Sequence, residues 1–431
     1  MQDSNKISFG SAVLMSINII VGAGIFIATQ VMTSVAGSTS FLGWLLVGML
    51  LFPIIWSVAQ ASRIFPGEGG FYNYCATGIN PTAGFAAQWV YLLAYMGTAA
   101  TITTYLRDGC ITRCGLTAIA DHPYLFNAVV ITFFSLLNLL PISLISRVQG
   151  VATFLKLIPL FFVILVFGFY WDPTITYSTG SISTLALTIP GAIFSFWGFE
   201  ACCSFGHLLK DGPQQVGKII LTAFFSTVAL YTVFHFGLIQ IMGVDALATQ
   251  GTLSFPAFMG LSSTMTAFLS SAIVGSILLS YSNSIFGVSL ANITNLTTIA
   301  RKKLVVGLDA LTATNSNGQP TIAVLVHGIL IWLLLVCISS GQVLMALVGL
   351  GVCFTLTLTL VALLLTYMKR KNYAQLVVTL VAFASCAMLI YQCWFSISDD
   401  GMVRIMSSLP LLGGLILGLV LYKLQQMKTR A

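Results

Sequence analysis

Two ionisable side chains stand inside long apolar runs, Lys156 in "VQGVATFLKLIPLFF" and Glu200 in "FSFWGFEACCSF". A charge in such a setting costs about 2.5–3.5 kcal/mol on membrane-insertion scales, so each is a functional candidate by default. The chemistry open to both is gain and loss of a proton. Each also has a bland reading. A lysine stem can snorkel to the membrane surface, and a buried carboxyl can be a structural group bonded to nearby backbone. The third candidate is backbone. Residues 17–27 read "INIIVGAGIFI", with Gly22-Ala23-Gly24 in the middle. Glycine costs about 1 kcal/mol relative to alanine in a helix interior, and broken backbone is costly in lipid. A small-residue pair also suits close packing of two membrane helices.

These groups need a membrane to make sense, and the composition supplies one. Of 431 residues, 58% are hydrophobic and 7% charged, with a mean hydropathy of +0.98. Soluble domains carry about 25% charged residues, so this chain cannot cover a water-facing surface. A membrane helix needs about 20 mostly apolar residues. Twelve stretches qualify, at 9–33, 41–62, 83–106, 124–144, 149–170, 187–208, 218–242, 263–299, 320–338, 341–367, 374–395 and 404–424. The links between them are short, and residues 244–265 read as a loop with a short helix. The first stretch is too long for a cleaved signal and has no small-residue cleavage site after it.

Lysine and arginine set the expected orientation. With both termini in the cytoplasm, the inner loops and tails hold fourteen bases against four acids, and the outer loops three against six. Lys156 and Glu200 cancel, which accounts for the net charge of +7. The positive charge is therefore read as topology, and no nucleic-acid partner is expected. Cys110 and Cys114 are placed together in an outer loop, as free thiols or a disulfide. No Cys/His cluster has metal-ligand spacing, so neither metal nor other cofactor is expected. The acceptor-like "NIT" and "NLT" at 292–297 fall within a span. His207, His235 and His327 read as structural, Asn18 and Asn138 as helix–helix hydrogen bonders, and Trp44, Trp56, Trp171 and Trp394 as interface anchors.

A second interruption is expected near Trp197-Gly198-Phe199 in the sixth span, with Gly198 175 residues and five spans after Ala23. A five-span unit repeated once must lie upside down relative to its copy. Interrupted helices at matching positions of inverted halves point to a transporter binding site. The free N–H groups of Ala23, Gly24 and Ile25 would start a half-helix whose positive end suits a carboxylate. The unwound carbonyls of Ser195 to Gly198 suit an ammonium. An α-amino acid carries both.

The segments "GAGIF", "PGEGGFYNY", "ISRVQGVATFLKLIPL", "FSFWGFEACC" and "KDGPQQVGKII" resemble the amino acid–polyamine–organocation superfamily. Within it, the chain is most similar to the basic amino acid and polyamine antiporters, which include the arginine/agmatine exchangers. The resemblance implies a LeuT-type fold, alternating access and an amino-acid substrate. By matching position, Gly22-Ala23-Gly24 would bind the carboxylate, Phe194 would cover the substrate, Tyr91 would gate, and Glu200 would serve proton-linked gating. Three positions depart from the arginine exchanger, the third being Lys156, where it has an apolar residue. Ala99 stands near its substrate-contacting asparagine, and Tyr281 or Phe286 is the nearest aromatic to its span-8 tryptophan. A lysine at 156 matches proton-coupled members, whose ammonium stands where sodium-driven relatives bind a cation.

The expectation is an all-α protein of twelve transmembrane helices in a 5+5 inverted repeat. A tail at 1–8 precedes the first repeat at 9–170, and the second repeat covers 187–367. Two further spans occupy 374–424, before a tail at 425–431. Its expected work is secondary transport of amino acids across a bacterial inner membrane, by exchange, proton symport or both. Substrate contacts fall at Gly22, Ala23, Gly24, Ile25, Phe194, Ser195, Phe196, Trp197 and Gly198. Lys156, Glu200 and Tyr91 serve coupling and gating, with protons and not sodium as the coupling ion. A homodimer is left open. A polyamine or decarboxylation-product antiporter is the alternative, and a channel or membrane-embedded enzyme is more remote.

Overall fold

The computed structural model describes residues 6–22, 24–175, 182–338 and 340–430. Ala23 therefore lies outside the described residues. The chain is all-helical, and among the described residues the only β-type pairings are two isolated bridges. The helices are α1 (Phe9–Ile20), α2 (Gly24–Ala36), α3 (Leu42–Ile64), α4 (Phe71–Gly78), α5 (Pro81–Cys114), α6 (Ala118–Asp121), α7 (Pro123–Leu137), α8 (Ile142–Val166) and α9 (Ile182–Ala186). They continue as α10 (Ile189–Ile193), α11 (Cys202–Phe205), α12 (Val216–Met242), α13 (Val244–Gln250), α14 (Ser263–Arg301), α15 (Thr321–Cys337), α16 (Gly341–Lys369), α17 (Tyr373–Phe395) and α18 (Gly401–Arg430).

Among the described residues, seven helices are long and apolar enough to cross a membrane, or eight if the bent pair α1–α2 forms one span. Helices α7 and α15 and the segment 183–196 are apolar but shorter. Two elements lie between the stretches expected from hydropathy. Short α4 follows the "PGEGG" turn, and α13 with a 3-10 turn over Thr252–Phe258 occupies the segment read as loop with short helix.

Local chemistry explains where helices start. Asn80 caps α5 by accepting from the Ala83 N–H at 2.9 Å, with Pro81 in the first turn, where its missing N–H costs nothing. Ser8, Ser262, Ser340 and Asn372 cap α1, α14, α16 and α17 in the same way. In lipid, association relies on close packing, which favours small residues at crossings. At Gly217, where α12 meets α3, an added Cβ would lie 2.8 Å from the Ala59 carbonyl. Helix α1 packs against α8, α12 and α14, and α2 against α10 and α13. Large apolar side chains such as Leu125, Phe133, Leu165 and Phe169 cover the outside, as expected where the surroundings are hydrocarbon.

Two sequence expectations are corrected, the outer-loop placement of Cys110 and Cys114 and the reading of Trp44 as an interface anchor. Cys110 and Cys114 occupy the last turn of α5 and are both free. Residues four apart on a helix hold their Cβ atoms about 5–6 Å apart, too far for a disulfide, which needs roughly 3.5–4.5 Å. Trp44 is no interface anchor. It is fully buried, its indole N–H donates to His235 Nδ1 at 3.1 Å, and its ring packs against Phe196 and Tyr231. Trp171, by contrast, is exposed. Asn292 and Asn295, the acceptor-like asparagines, are buried within α14.

Candidate functional site

Both expected interruptions are present, and they face each other. Helix α1 ends at Ile20 and α2 starts at Gly24, with a bend of 51° between the two axes. The sixth stretch is helical over Ile189–Ile193, forms a 3-10 turn over Phe194–Phe196, and resumes helix at Cys202. Gly198 sits between at φ +99°, a conformation that side chains resist. A Cβ on Gly24 would come within 2.9 Å of Ser195 Oγ and 3.5 Å of Ser195 Cα, and one on Gly198 would collide with Ile19. Gly22, by contrast, meets no neighbouring helix. Gly24 thus serves close approach to the partner break, while Gly22 serves the unwinding.

A cavity of about 370 Å³ opens where the two breaks meet. This falls at the small end of the roughly 300–1,000 Å³ typical of small-molecule sites. Gly22, Gly24, Phe194, Ser195, Trp197, Gly198 and Glu200 all line it. Ile25 and Phe196 do not. Ile25 is buried on the far side of the first turn of α2, so only its N–H can serve the break. Phe196 is fully buried and packs against Trp44, Phe224 and Tyr231. Its neighbours Ser195 and Trp197 take the cavity face instead. Tyr281 lines the cavity, whereas Phe286 faces Phe134 on α7.

Lys156 does not snorkel. It is 2% exposed, and its Nζ donates to the Asn18 carbonyl at 2.8 Å, Asn18 Oδ1 at 2.7 Å and the Val21 carbonyl at 2.6 Å. These are the carbonyls that α1 leaves free as it unwinds. Two hydroxyls of α14 share them: Ser284 donates to the Asn18 carbonyl and Ser280 to that of Val21, each at 3.2 Å. Ser276, one turn away, donates to the Lys156 carbonyl at 2.8 Å. The broken end of α1 is therefore held by an ammonium from α8 and hydroxyls from α14. Asn18 also donates to the Asn283 carbonyl at 2.8 Å, the helix–helix bond expected of it.

Glu200 lies in the turn after Gly198, fully buried. Its Oε1 accepts from Tyr95 at 2.9 Å and from Tyr91 at 3.4 Å, both on α5. Among the described residues its Oε2 has no hydrogen-bond partner. Tyr95 lines the cavity, while Tyr91 sits one turn behind, its ring in tilted contact with those of Tyr95 and of Phe71 of α4. Sequence reasoning named Tyr91 and missed Tyr95. Their spacing of four was the available signal, because both lie on the helix face that carries Glu200's partners.

Tyr231 was missed as well. Its hydroxyl lies 3.4 Å from the Ile20 carbonyl and 3.3 Å from that of Ser195, so one phenol of α12 reaches both breaks. A second tie joins the same segments at one end. The Ile7 N–H donates to the Leu208 carbonyl at 3.0 Å, and the Lys210 N–H to that of Ile7 at 2.9 Å. Beside this tie, Glu68 of the "PGEGG" turn accepts from Arg301 at the end of α14 at 2.8 Å. The turn's Gly70, at φ +44°, packs against the Cys203 carbonyl, where a Cβ would come within 2.6 Å.

Fold and cavity together define a multi-pass helical membrane protein with a small-molecule-sized chamber between two opposed helix breaks. The family model for amino acid permeases matches residues 7–420, and the chain belongs to that family. It is similar to the arginine/agmatine antiporter of Chlamydia pneumoniae, with 25% identity over 267 residues, 56% of this chain and 54% of that protein. It resembles the probable agmatine/putrescine antiporter of Lactococcus lactis at 23% identity over 270 residues, 59% of this chain and 56% of that protein. A cystine/glutamate transporter of Pongo abelii is 28% identical over 171 residues, 38% of this chain and 34% of that protein. The chain thus spans about half the length of the two antiporters it matches.

Proposed function

We propose that this chain is a secondary active transporter of amino acids, working by alternating access with a twelve-span architecture and a 5+5 inverted repeat. The observation that carries the reading is the apposition of Gly24 and Ser195 across the cavity. Two half-helices meet there, and the first turn of α2 presents free N–H groups to a carboxylate. The turn at Trp197 to Gly198, with Glu200 beside it, receives the ammonium. Phe194 closes over the substrate from the wall of the cavity. The arginine/agmatine and agmatine/putrescine specificities of two relatives support exchange as the mode, with a polyamine or decarboxylation product as an alternative substrate.

Protons are the coupling ion in this reading. A charged Lys156 ties α1 to α8, and its neutral form lacks the charge that strengthens those bonds. The proton on Lys156 thereby biases the tilt of the broken helix against α8 and α14. Sodium is not expected, since the ammonium already sits among the oxygens of Asn18 and Val21. Glu200 is the second proton-linked group, and Tyr91 beneath the cavity belongs to the inner gate. With the bases facing inward, both termini are cytoplasmic, and short links between spans suit a bacterial inner membrane. A channel would need a continuous polar pore, and the apolar cavity wall speaks against one.

Purified protein in liposomes tests this. Uptake of labelled amino acid should saturate and be stimulated by unlabelled substrate on the opposite side. Linear, unsaturable flux would sink the transporter reading in favour of a channel.

A further inference from the structure

We infer that the cavity selects neutral amino acids with an apolar side chain of leucine, isoleucine or methionine size, and rejects cationic ones. This rests on the amino-acid reading above and goes further, because it concerns the apolar end of the cavity.

That end is formed by α5, α14 and α16. Its apolar wall includes Ile102 of α5, Val288 of α14, and Met345, Val348 and Val352 of α16. The last three recur at intervals of three and four, one face of a helix. Methionine's unbranched stem adapts to side chains of differing shape. Three of the hydroxyls there already donate. Thr98 and Thr101 donate back to the carbonyls of Ala94 and Gly97, at 3.1 and 2.8 Å, which leaves their methyl groups to the cavity. The Tyr105 hydroxyl donates to the Met345 sulfur at 3.6 Å.

Charge decides the class. Among the described lining residues, Glu200 is the one that bears a formal charge. It stands two residues from Gly198, at the end assigned to the α-amino group, and two phenols of α5 occupy its Oε1. One carboxylate can balance one ammonium. The α-amino group takes that role, and the half-helix of α2 answers the α-carboxylate. A guanidinium or second ammonium would reach the apolar end with no acid to meet it, and an unpaired buried cation is strongly disfavoured. Aromatic faces at Phe194, Trp197 and Tyr281 offer a cation some compensation, but less than a carboxylate supplies. An apolar side chain needs none and gains by leaving water.

The experiment is competition against labelled L-leucine counterflow in liposomes holding the full chain, with unlabelled leucine, isoleucine, methionine, alanine, arginine, lysine and agmatine. Leucine, isoleucine and methionine should compete within about tenfold of one another, with arginine, lysine and agmatine at least about a hundredfold weaker. Val348→Asp, which places a carboxylate in the apolar end, should weaken leucine and strengthen arginine by about tenfold or more. The wild-type panel stands if that variant does not fold. Arginine or agmatine competing as well as leucine would overturn this inference and leave the amino-acid reading intact. If labelled arginine and agmatine as well as leucine show no counterflow with protein verified as folded, the amino-acid reading itself fails, and this inference with it.

Discussion

At the scale of single residues, the two membrane-buried charges now have distinct partners, and their substitutions should behave differently. Lys156→Ala removes the donor that three oxygens share and leaves the carbonyl of Val21 with only the Ser280 hydroxyl. Hydrogen bonds to charged groups are worth about 1.5–3 kcal/mol net. The variant should lose thermal stability and, more tellingly, uptake should no longer respond to an imposed proton gradient. Gradient-driven accumulation at the wild-type level would make the lysine a strut. Glu200→Gln keeps the shape and the bonds from Tyr95 and Tyr91 but cannot exchange a proton. Exchange should weaken, because the substrate's ammonium loses its counter-charge, and the dependence of the remaining exchange on pH should flatten. An unchanged profile across the range would remove Glu200 from coupling. Gly198 is a third test. At φ +99° and against Ile19, an alanine there carries backbone strain of about 1–3 kcal/mol plus a steric clash, so Gly198→Ala should lower the melting temperature and abolish substrate protection.

At the scale of elements, the broken segments share ties as well as contacts with the helices around them. Tyr231 of α12 reaches both breaks, and Ile7 pairs with the stretch around Leu208. Lys156 of α8 and the serines of α14 hold the broken end of α1, and those are the contacts that a tilt of α1 must remake. Glu68 and Arg301 add a latch between the turn after α3 and the end of α14. Burial would raise the Glu68 carboxyl, but the bond from Arg301 and the nearby charges of His207, Arg301 and Lys302 outweigh it and hold it below the ordinary value. A lowered carboxyl contributes above its unfolded value and stops contributing as pH falls through its folded one. The latch is therefore closed at neutral pH and released only in acid. Both partners are 40% exposed, so the pair is worth about 1 kcal/mol at most. Glu68→Gln at neutral pH should shift the rate of inward opening by no more than about fivefold, read as exchange rate, and the mutant should lose the acid dependence of that rate.

At the scale of the whole molecule, the charge asymmetry makes a prediction that helix packing does not touch. Single cysteines placed at Lys6 and Lys428, in a background without native cysteines, should both react with a membrane-impermeant maleimide only after the inner face is opened. Labelling of either from the outer side of intact cells would overturn the orientation and, with it, the assignment of Glu68 and Arg301 to the inner face.

Composition and local spacing suffice for a large part of this picture. Seven per cent charge makes the chain a membrane protein whatever its fold. Glycine's low helix propensity at 22–24 and 198, and the cost of a lone charge at 156 and 200, are properties of the local chain, so they can be read without knowing any neighbour. Caps such as Asn80-Pro81 belong with them. What could not be read is which face each helix turns to which partner. Lys156 meets oxygens 135 and 138 positions away, Tyr95 and not Tyr91 enters the cavity, Trp44 turns inward to His235, and Phe196 packs behind the break instead of lining it. In lipid, both sides of a helix are apolar, so hydrophobic patterning marks the span but hardly marks its inward face. Close packing of small residues and pairing of the few polar groups choose that face, and those are settled only when all the helices are assembled.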